Sequence, residues 1–165
     1  MFQQRKEINQ NNFKRTDMRR VLIALDYDPT ARKVAEVGFS MAKAMKAEIT
    51  LVHVIVDLVV YSLTYLNMGP LQSDSGMQLV DASQQFLEKT KQYLGDTTIQ
   101  TLIKEGDFSD AILETAKEIK ADCIVMGSHS QKWLENIVVG SVTNEVLRKT
   151  TIPMFIVPIR KIDLE

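Results

Sequence analysis

Short apolar runs alternate with amphipathic segments from residue 19 onward, and this alternation limits the possible folds more than any other feature. The first run, residues 21–25, is continuously apolar and of strand length, which is typical of a strand covered on both faces in a parallel sheet. In the segment that follows, apolar and small residues recur at helical spacing, namely Ala31, Val34, Ala35, Gly38, Met41, Ala42 and Met45. The sequence therefore predicts a buried strand followed by a helix with one buried face.

The same pattern continues along the chain and predicts five strands and four helices. Further strands are predicted at residues 48–54, 99–104, 122–126 and 153–158, and further helices at about 77–94, after Asp107 and from Gly140 to about 149. We expect one Rossmann-like α/β domain, a doubly wound five-stranded parallel sheet with helices on both faces. Such sheets bind ligands beyond the carboxyl ends of their strands, where the strand order reverses. Function is therefore expected in the loops after the first, second and fourth strands.

The chain length of 165 residues suits one domain, which we assign to residues 18–160. Residues 1–17 carry four basic and two acidic side chains and no apolar stretch typical of a secretion signal. They are predicted to be a mobile polar tail, with a basic docking arm as the alternative. Residues 161–165 are predicted to be a short C-terminal tail.

Composition excludes several classes of function. A formal net charge of −1 gives no reason to expect a general nucleic-acid surface, and no stretch reaches the roughly 18 apolar residues of a membrane span. The single cysteine, Cys123, excludes an internal disulfide, and only two histidines accompany it, which disfavours a structural zinc site. We expect a cytoplasmic protein in which Cys123 is buried and inert, and in which His53, within an apolar strand, is structural.

Two Gly-Ser pairs, Gly127-Ser128 and Gly140-Ser141, lie thirteen residues apart. The first ends a predicted strand, where a small residue lets a ligand approach the backbone. The second begins a predicted helix, whose free amides at Ser141, Val142 and Thr143 would form a phosphate site. An ordinary helix cap is the alternative interpretation of the second pair.

Several ordered segments together resemble the universal stress protein family, over residues 18–160. They are residues 18–26 (MRRVLIALD), 51–54 (LVHV), 121–129 (ADCIVMGSH), 139–142 (VGSV) and 152–158 (IPMFIVP). One branch of that family binds ATP through a pattern of Gly, two residues, Gly, nine residues, then Gly and Ser or Thr. Here Gly127, the nine residues 131–139 and Gly140-Ser141 match, whereas Ser130 replaces the second glycine. Residues 24–26 are also Ala-Leu-Asp, where many members have Pro-Thr-Asp.

The resemblance implies a role in nucleotide binding for each matching residue. Asp26 would lie beside the adenosine, the Val54 backbone would meet the adenine edge, and Ala24 would form part of the apolar floor. Gly127 would pass close to the ribose and phosphates. The remaining implied contacts to the nucleotide lie in two segments, at Ser128, His129 and Ser130, and at Gly140, Ser141, Val142 and Thr143. His129 could reach a phosphate or could equally lie in a solvated turn.

The resemblance also implies an ATP or other adenine-nucleotide ligand, with Mg²⁺ or Mn²⁺ held mainly by the phosphates, and a role in stress response or signalling. It implies a homodimer through the fifth strand, between Pro153 and Pro158, which is apolar on both faces and expected at a sheet edge. No paired carboxylates, nucleophile with base, or metal triad emerges around the phosphate motif, so an efficient enzyme is not expected. Two alternatives stay open: a dimeric interaction module that no longer binds nucleotide, and a slow ATPase.

Overall fold

The computed structural model describes residues 17–57, 73–128 and 140–159. These residues form five strands and four helices, as the sequence predicts. In chain order they are β1 (Arg20–Ala24), α1 (Ala31–Ala44), β2 (Glu48–Ile55), α2 (Ser73–Leu94), β3 (Gln100–Glu105), α3 (Phe108–Glu118), β4 (Cys123–Gly127), α4 (Ser141–Lys149) and β5 (Met154–Val157). Residues 1–16 of the predicted N-terminal tail and all of the predicted C-terminal tail lie outside the described residues, as does Arg160.

The sheet is wholly parallel and has the strand order β3-β2-β1-β4-β5. Val21 in the central strand pairs with Ile49 on one side and with Cys123 on the other. The chain builds outward from β1 to β3, then crosses back to β4, so the strand order reverses between β1 and β4. The doubly wound α/β architecture is confirmed, and β3 and β5 form the two edges.

Each face of the sheet is covered by one pair of helices, which explains the uninterrupted apolarity of β1. Val21 and Ile23 are completely buried beneath α1 and α2, whereas Leu22 is completely buried in the cluster beneath α3 and α4. Alternate side chains of a strand point to opposite faces, so both faces of β1 need apolar residues. The predicted buried face of α1 is confirmed at Ala31, Val34, Ala35, Gly38 and Ala42.

Gly38 sets how closely α1 approaches the sheet. A Cβ atom at this position would lie 2.9 Å from Ile23 Cδ1 and 3.1 Å from Val125 Cγ1. Both contacts are shorter than an ordinary van der Waals separation, so the absence of a side chain permits this packing.

The predicted start of α2 is wrong by one turn, because the helix begins at Ser73 and not at about residue 77. Residues 73–76 are Ser-Asp-Ser-Gly, which are typical of a turn but are also tolerated at a helix start. The predicted helix after Asp107 is confirmed as α3, and the Asp107 carboxylate caps it by accepting a hydrogen bond from the Asp110 amide at 3.0 Å. None of the helices described is long and apolar enough to cross a membrane.

Candidate functional site

A cleft with a volume of about 150 Å³ opens at the carboxyl ends of β1, β2 and β4. The starts of α1, α3 and α4 complete its walls. Its lining residues are Ala24, Leu25, Asp26, Asp28, Thr30, Ala31, Val34, Val52, Val54, Phe108, Ile112, Met126, Gly127, Val142 and Thr143. The cleft therefore lies at the reversal of strand order, where parallel α/β sheets bind their ligands.

The structure brings together residues that were selected from four separate segments of the sequence. Ala24, Asp26, Val54, Gly127, Val142 and Thr143 all line the cleft. Gly140 and Ser141 lie directly before Val142 but do not line the cavity itself. His129 and Ser130 lie outside the described residues, so their predicted roles stay predictions.

The floor of the cleft is apolar. Val52, Val54 and Met126 are buried at the carboxyl ends of β2 and β4, and Ala24 from β1 lies between these strands. This surface suits a planar, weakly polar group. Polar groups are concentrated instead at the mouth and at the start of α4.

The turn after β1 is held by hydrogen bonds on both sides of Leu25. The Leu25 amide donates to the Val52 carbonyl oxygen at 2.9 Å, and the buried His53 ring binds the Leu25 carbonyl oxygen through Nδ1 at 2.8 Å. Since a carbonyl oxygen only accepts, Nδ1 carries the proton in this contact. His53 thus has the structural role that the sequence analysis expected, and it fixes the backbone just before Asp26.

Two carboxylates follow at the mouth of the cleft. Asp26 is exposed and accepts a hydrogen bond from the Tyr27 amide at 3.0 Å. Asp28 accepts from both the amide and the hydroxyl of Thr30, at 2.6 and 2.5 Å, which orders the entry into α1. Sequence reasoning missed Asp28 and Thr30 as lining residues, although an Asp two residues before a Thr is typical of such a turn.

Among the described residues, the amides at the start of α4 have no hydrogen-bond partner, and they lie beside Gly127. Gly140 is the N-cap and makes no side-chain capping bond, and the first intrahelical hydrogen bond joins the Asn144 amide to the Gly140 carbonyl oxygen at 2.8 Å. The amides of Ser141, Val142 and Thr143 therefore lie outside the hydrogen bonding of the helix itself. The Thr143 hydroxyl donates to the Gly127 carbonyl oxygen at 2.9 Å, so the end of β4 and the start of α4 are directly joined.

Gly127 and Ser128 also contact α1 and the chain at the end of β5. A Cβ atom on Gly127 would lie 3.0 Å from Val34 Cγ2 and 3.4 Å from Ile159 Cγ1, so this glycine is needed for packing as well as for any ligand approach. The Ser128 amide donates to the Val157 carbonyl oxygen at 2.9 Å, and the Ser128 hydroxyl accepts from the Ile159 amide at 3.0 Å. Ser128 is buried, and its side chain binds the chain after β5.

The surroundings of Cys123 and Asp107 shift the pKa of each side chain. Cys123 is buried in β4, and burial raises the pKa of its thiol, which agrees with the expected inert role. Asp107, at the start of α3 near the cleft, has a lowered pKa because its carboxylate accepts hydrogen bonds from the Asp110 amide and the Ser109 hydroxyl. Over residues 17–57, 73–128 and 140–159, no three His, Cys, Asp or Glu side chains converge in a way that could hold a metal ion.

The chain matches the model of the universal stress protein family over residues 18–158. It is 28% identical over 145 residues to universal stress protein A of Yersinia pestis, covering 85% of this chain and 91% of that protein. It is 28% identical to the stress response protein NhaX of Bacillus subtilis, covering 84% of this chain and 96% of that protein.

Solved structures share the fold. The universal stress protein UspA from Lactobacillus plantarum superposes with a TM-score of 0.68 at 20% identity, covering 86% of this chain and 99% of that one. A universal stress protein in complex with cAMP gives a TM-score of 0.58 at 20% identity, with 86% and 98% coverage. A universal stress protein from Archaeoglobus fulgidus in complex with dAMP gives 0.56 at 16% identity, again with 86% and 98% coverage. With its family match spanning most of its length, and with the fold and strand order described above, this chain belongs to the universal stress protein family.

Proposed function

We propose that the protein binds an adenine nucleotide, ATP in particular, in the cleft at the carboxyl ends of β1, β2 and β4, and acts in a cytoplasmic stress response. The observation that carries the proposal is the set of amides at Ser141, Val142 and Thr143, which have no partner within the part of the chain that the structure describes and lie next to Gly127 and an apolar floor. The relatives solved with cAMP and dAMP support an adenine-containing ligand for this fold.

The two halves of the cleft suit the two ends of a nucleotide. Helix amides and the positive end of the helix dipole stabilise phosphate oxygens, and the exposed hydroxyl of Ser141 can donate to one of them. The apolar floor at Val52, Val54 and Met126 suits the base, with the Val54 backbone at the adenine edge and Asp26 near the ribose. Mg²⁺ or Mn²⁺ would be held mainly by the phosphates, because Mg²⁺ uses few protein ligands in such sites.

Substitutions of Gly140 test phosphate binding with little effect on the fold. Gly140 has φ −57° and ψ 158°, a conformation that residues with side chains adopt freely. We expect Gly140→Val to weaken MgATP binding strongly by blocking the approach of phosphate, and Gly140→Ala to weaken it less. Thermal unfolding should show both variants folded. Calorimetry of the native protein with millimolar MgATP that gives neither heat nor a thermal shift would refute the proposal.

We also propose a homodimer through β5. This strand has only β4 as a neighbour in the described sheet, and Phe155 within it is 40% exposed. An apolar edge strand needs a cover or a partner, and Pro153 and Pro158 limit any pairing to the residues between them. Sedimentation at tens of micromolar should give a dimer that Phe155→Lys dissociates, whereas Leu147→Lys, at an equally exposed position on α4, should not. A native monomer would contradict the proposal.

We propose that the cleft binds nucleotide without rapid hydrolysis. Phosphoryl transfer needs groups that position water and stabilise the charge on the transferred group. Here the Asp28 carboxylate is held by Thr30, and the Thr143 hydroxyl is held by the Gly127 carbonyl oxygen. The replacement of a family glycine by Ser130 favours a second candidate, an interaction module without nucleotide. The same calorimetry, combined with an assay of phosphate release, distinguishes these two functions from a slow ATPase.

A further inference from the structure

The apolar face of α3 extends beyond the sheet that it covers. Phe108, Ala111, Ile112, Thr115 and Ala116 recur at helical spacing and share one face. The last four are buried, whereas Phe108 is 41% exposed. The first residue of this face therefore has no strand beneath it.

The reason lies in the direction of the helix. Because α3 follows β3 after a short connection, its first residue lies at the carboxyl edge of the sheet, where the cleft opens. Phe108 lines this cleft together with Ile112 and with Val54 of β2. Among the described residues it is the only aromatic side chain that does so. Part of the Phe108 ring is thus available next to an apolar floor.

The backbone that carries Phe108 is held firmly. The preceding residue, Asp107, accepts hydrogen bonds from the Ser109 hydroxyl at 2.8 Å and from the Asp110 amide at 3.0 Å. These hydrogen bonds stabilise the charged carboxylate and lower the pKa of Asp107. A backbone that is fixed before the ligand arrives reduces the conformational entropy lost on binding.

We infer that Phe108 is the stacking residue for the nucleotide base and that it determines a preference for purine nucleotides over ligands that lack a base. The inference rests on the proposed function of the cleft. Stacking of a base on an aromatic ring accounts for about five- to 150-fold in affinity. A ligand that carries phosphates without a base presents no ring to Phe108, so the preference follows from stacking and not from the phosphate contacts.

The first test compares ATP with inorganic tripolyphosphate, which carries the phosphates without a base. We expect Phe108→Leu to weaken ATP binding at least five-fold, Phe108→Tyr to retain it, and the affinity for tripolyphosphate to stay the same in all three proteins. Tyr93→Leu, which alters an exposed aromatic side chain on α2 that does not line the cleft, should leave ATP binding unchanged. Thermal unfolding of each variant verifies that the fold is kept.

The second test observes the contact directly. Trp133 is the only tryptophan of the chain, so Trp133→Phe gives a background in which Phe108→Trp introduces a single indole at the cleft. ATP should change the fluorescence of that indole, tripolyphosphate should not, and Tyr93→Trp in the same background should respond to neither.

The outcomes separate this inference from the proposal on which it rests. If the native protein binds neither ATP nor tripolyphosphate, the nucleotide function fails and the stacking role fails with it. If ATP binds but Phe108→Leu binds it equally well, or if native protein binds tripolyphosphate as tightly as ATP, the stacking role alone is overturned. Loss of ATP binding with unchanged tripolyphosphate binding establishes it.

Discussion

Thr143 donates its hydroxyl proton to the carbonyl oxygen of Gly127 over 2.9 Å. The two residues are distant in sequence, and this bond fixes the start of α4 against the end of β4. Thr143 is buried, so water cannot easily replace the donor. The geometry of the candidate phosphate site therefore depends on a side chain that the sequence analysis had selected only for its backbone amide.

Replacing Thr143 by valine should destabilise the protein. The substitution preserves the shape of the side chain but leaves the Gly127 carbonyl oxygen without its hydroxyl donor, which costs about 1–3 kcal/mol in the free energy of unfolding. Thr143→Ser keeps the hydroxyl and should lose less. Urea unfolding measures both changes, and equal stability of the valine variant and the native protein would show that the bond contributes nothing.

Replacing Gly38 by alanine should also destabilise the protein, although alanine is the better helix former. The helix propensity favours alanine by about 1 kcal/mol, but the added methyl group would meet Ile23 and Val125 at 2.9 and 3.1 Å. Overpacking of this kind costs about 1–3 kcal/mol, so we expect a net loss or at best no gain in the thermal midpoint. Ser40→Ala, at an exposed position of the same helix, is the control. A clear rise in the midpoint for Gly38→Ala would contradict this packing argument.

Acid should weaken the fold between about pH 4 and pH 2. The pKa of Asp96 is lowered to about 2 because its carboxylate accepts from the Thr98 hydroxyl and amide and from Lys43. In the unfolded chain an aspartate titrates near 3.9, at about pH 4. Between these values the unfolded state binds more protons, so the contribution is complete above about pH 4 and is lost as the pH falls towards 2.

Urea unfolding at several pH values measures this contribution. Thr98→Val removes the hydroxyl donor, which is the largest cause of the lowered pKa, and should make stability less dependent on pH over this range. An unchanged dependence on pH in Thr98→Val would show that Asp96 is not responsible.

Ser130→Gly should strengthen ATP binding. The resemblance to the ATP-binding branch places a glycine at this position, and a serine in a left-handed conformation costs on the order of 1 kcal/mol. We therefore expect an increase in affinity of roughly two- to ten-fold, measured by calorimetry. An unchanged affinity would mean that Ser130 does not lie in the phosphate loop.

The fold was predictable from the sequence because its signals are local. The continuous apolar run in β1 indicates that both faces of the strand are buried, and the helical spacing in α1 indicates that one face of the helix is buried. Asp107 is recognisable as a cap from its neighbours alone. The early start of α2 was not predictable, because residues 73–76 suit a turn and a first helical turn equally well.

The candidate site was predictable only in part. Gly127, Val142 and Thr143 were selected from the sequence and line the cleft, because strand ends and helix starts meet at one edge of a parallel sheet. Phe108 and Thr30 were missed, because a residue lines the cleft only through the placement of its helix over the sheet, which no local pattern reports. The segment that contains His129 and Ser130 lies outside the described residues, so its contribution remains a prediction.

The hydrogen bonds of Ser128 connect the cleft directly to the edge strand β5. Its amide and hydroxyl bind Val157 and Ile159, so a shift in the backbone at Gly127 and Ser128 also shifts the end of β5. Where the proposed nucleotide binding and the proposed pairing at β5 both occur, these contacts would link the two equilibria. Any factor by which nucleotide changes the affinity between two copies must equal the factor by which pairing changes the affinity for nucleotide. A chain of this design would report the nucleotide concentration through its state of association.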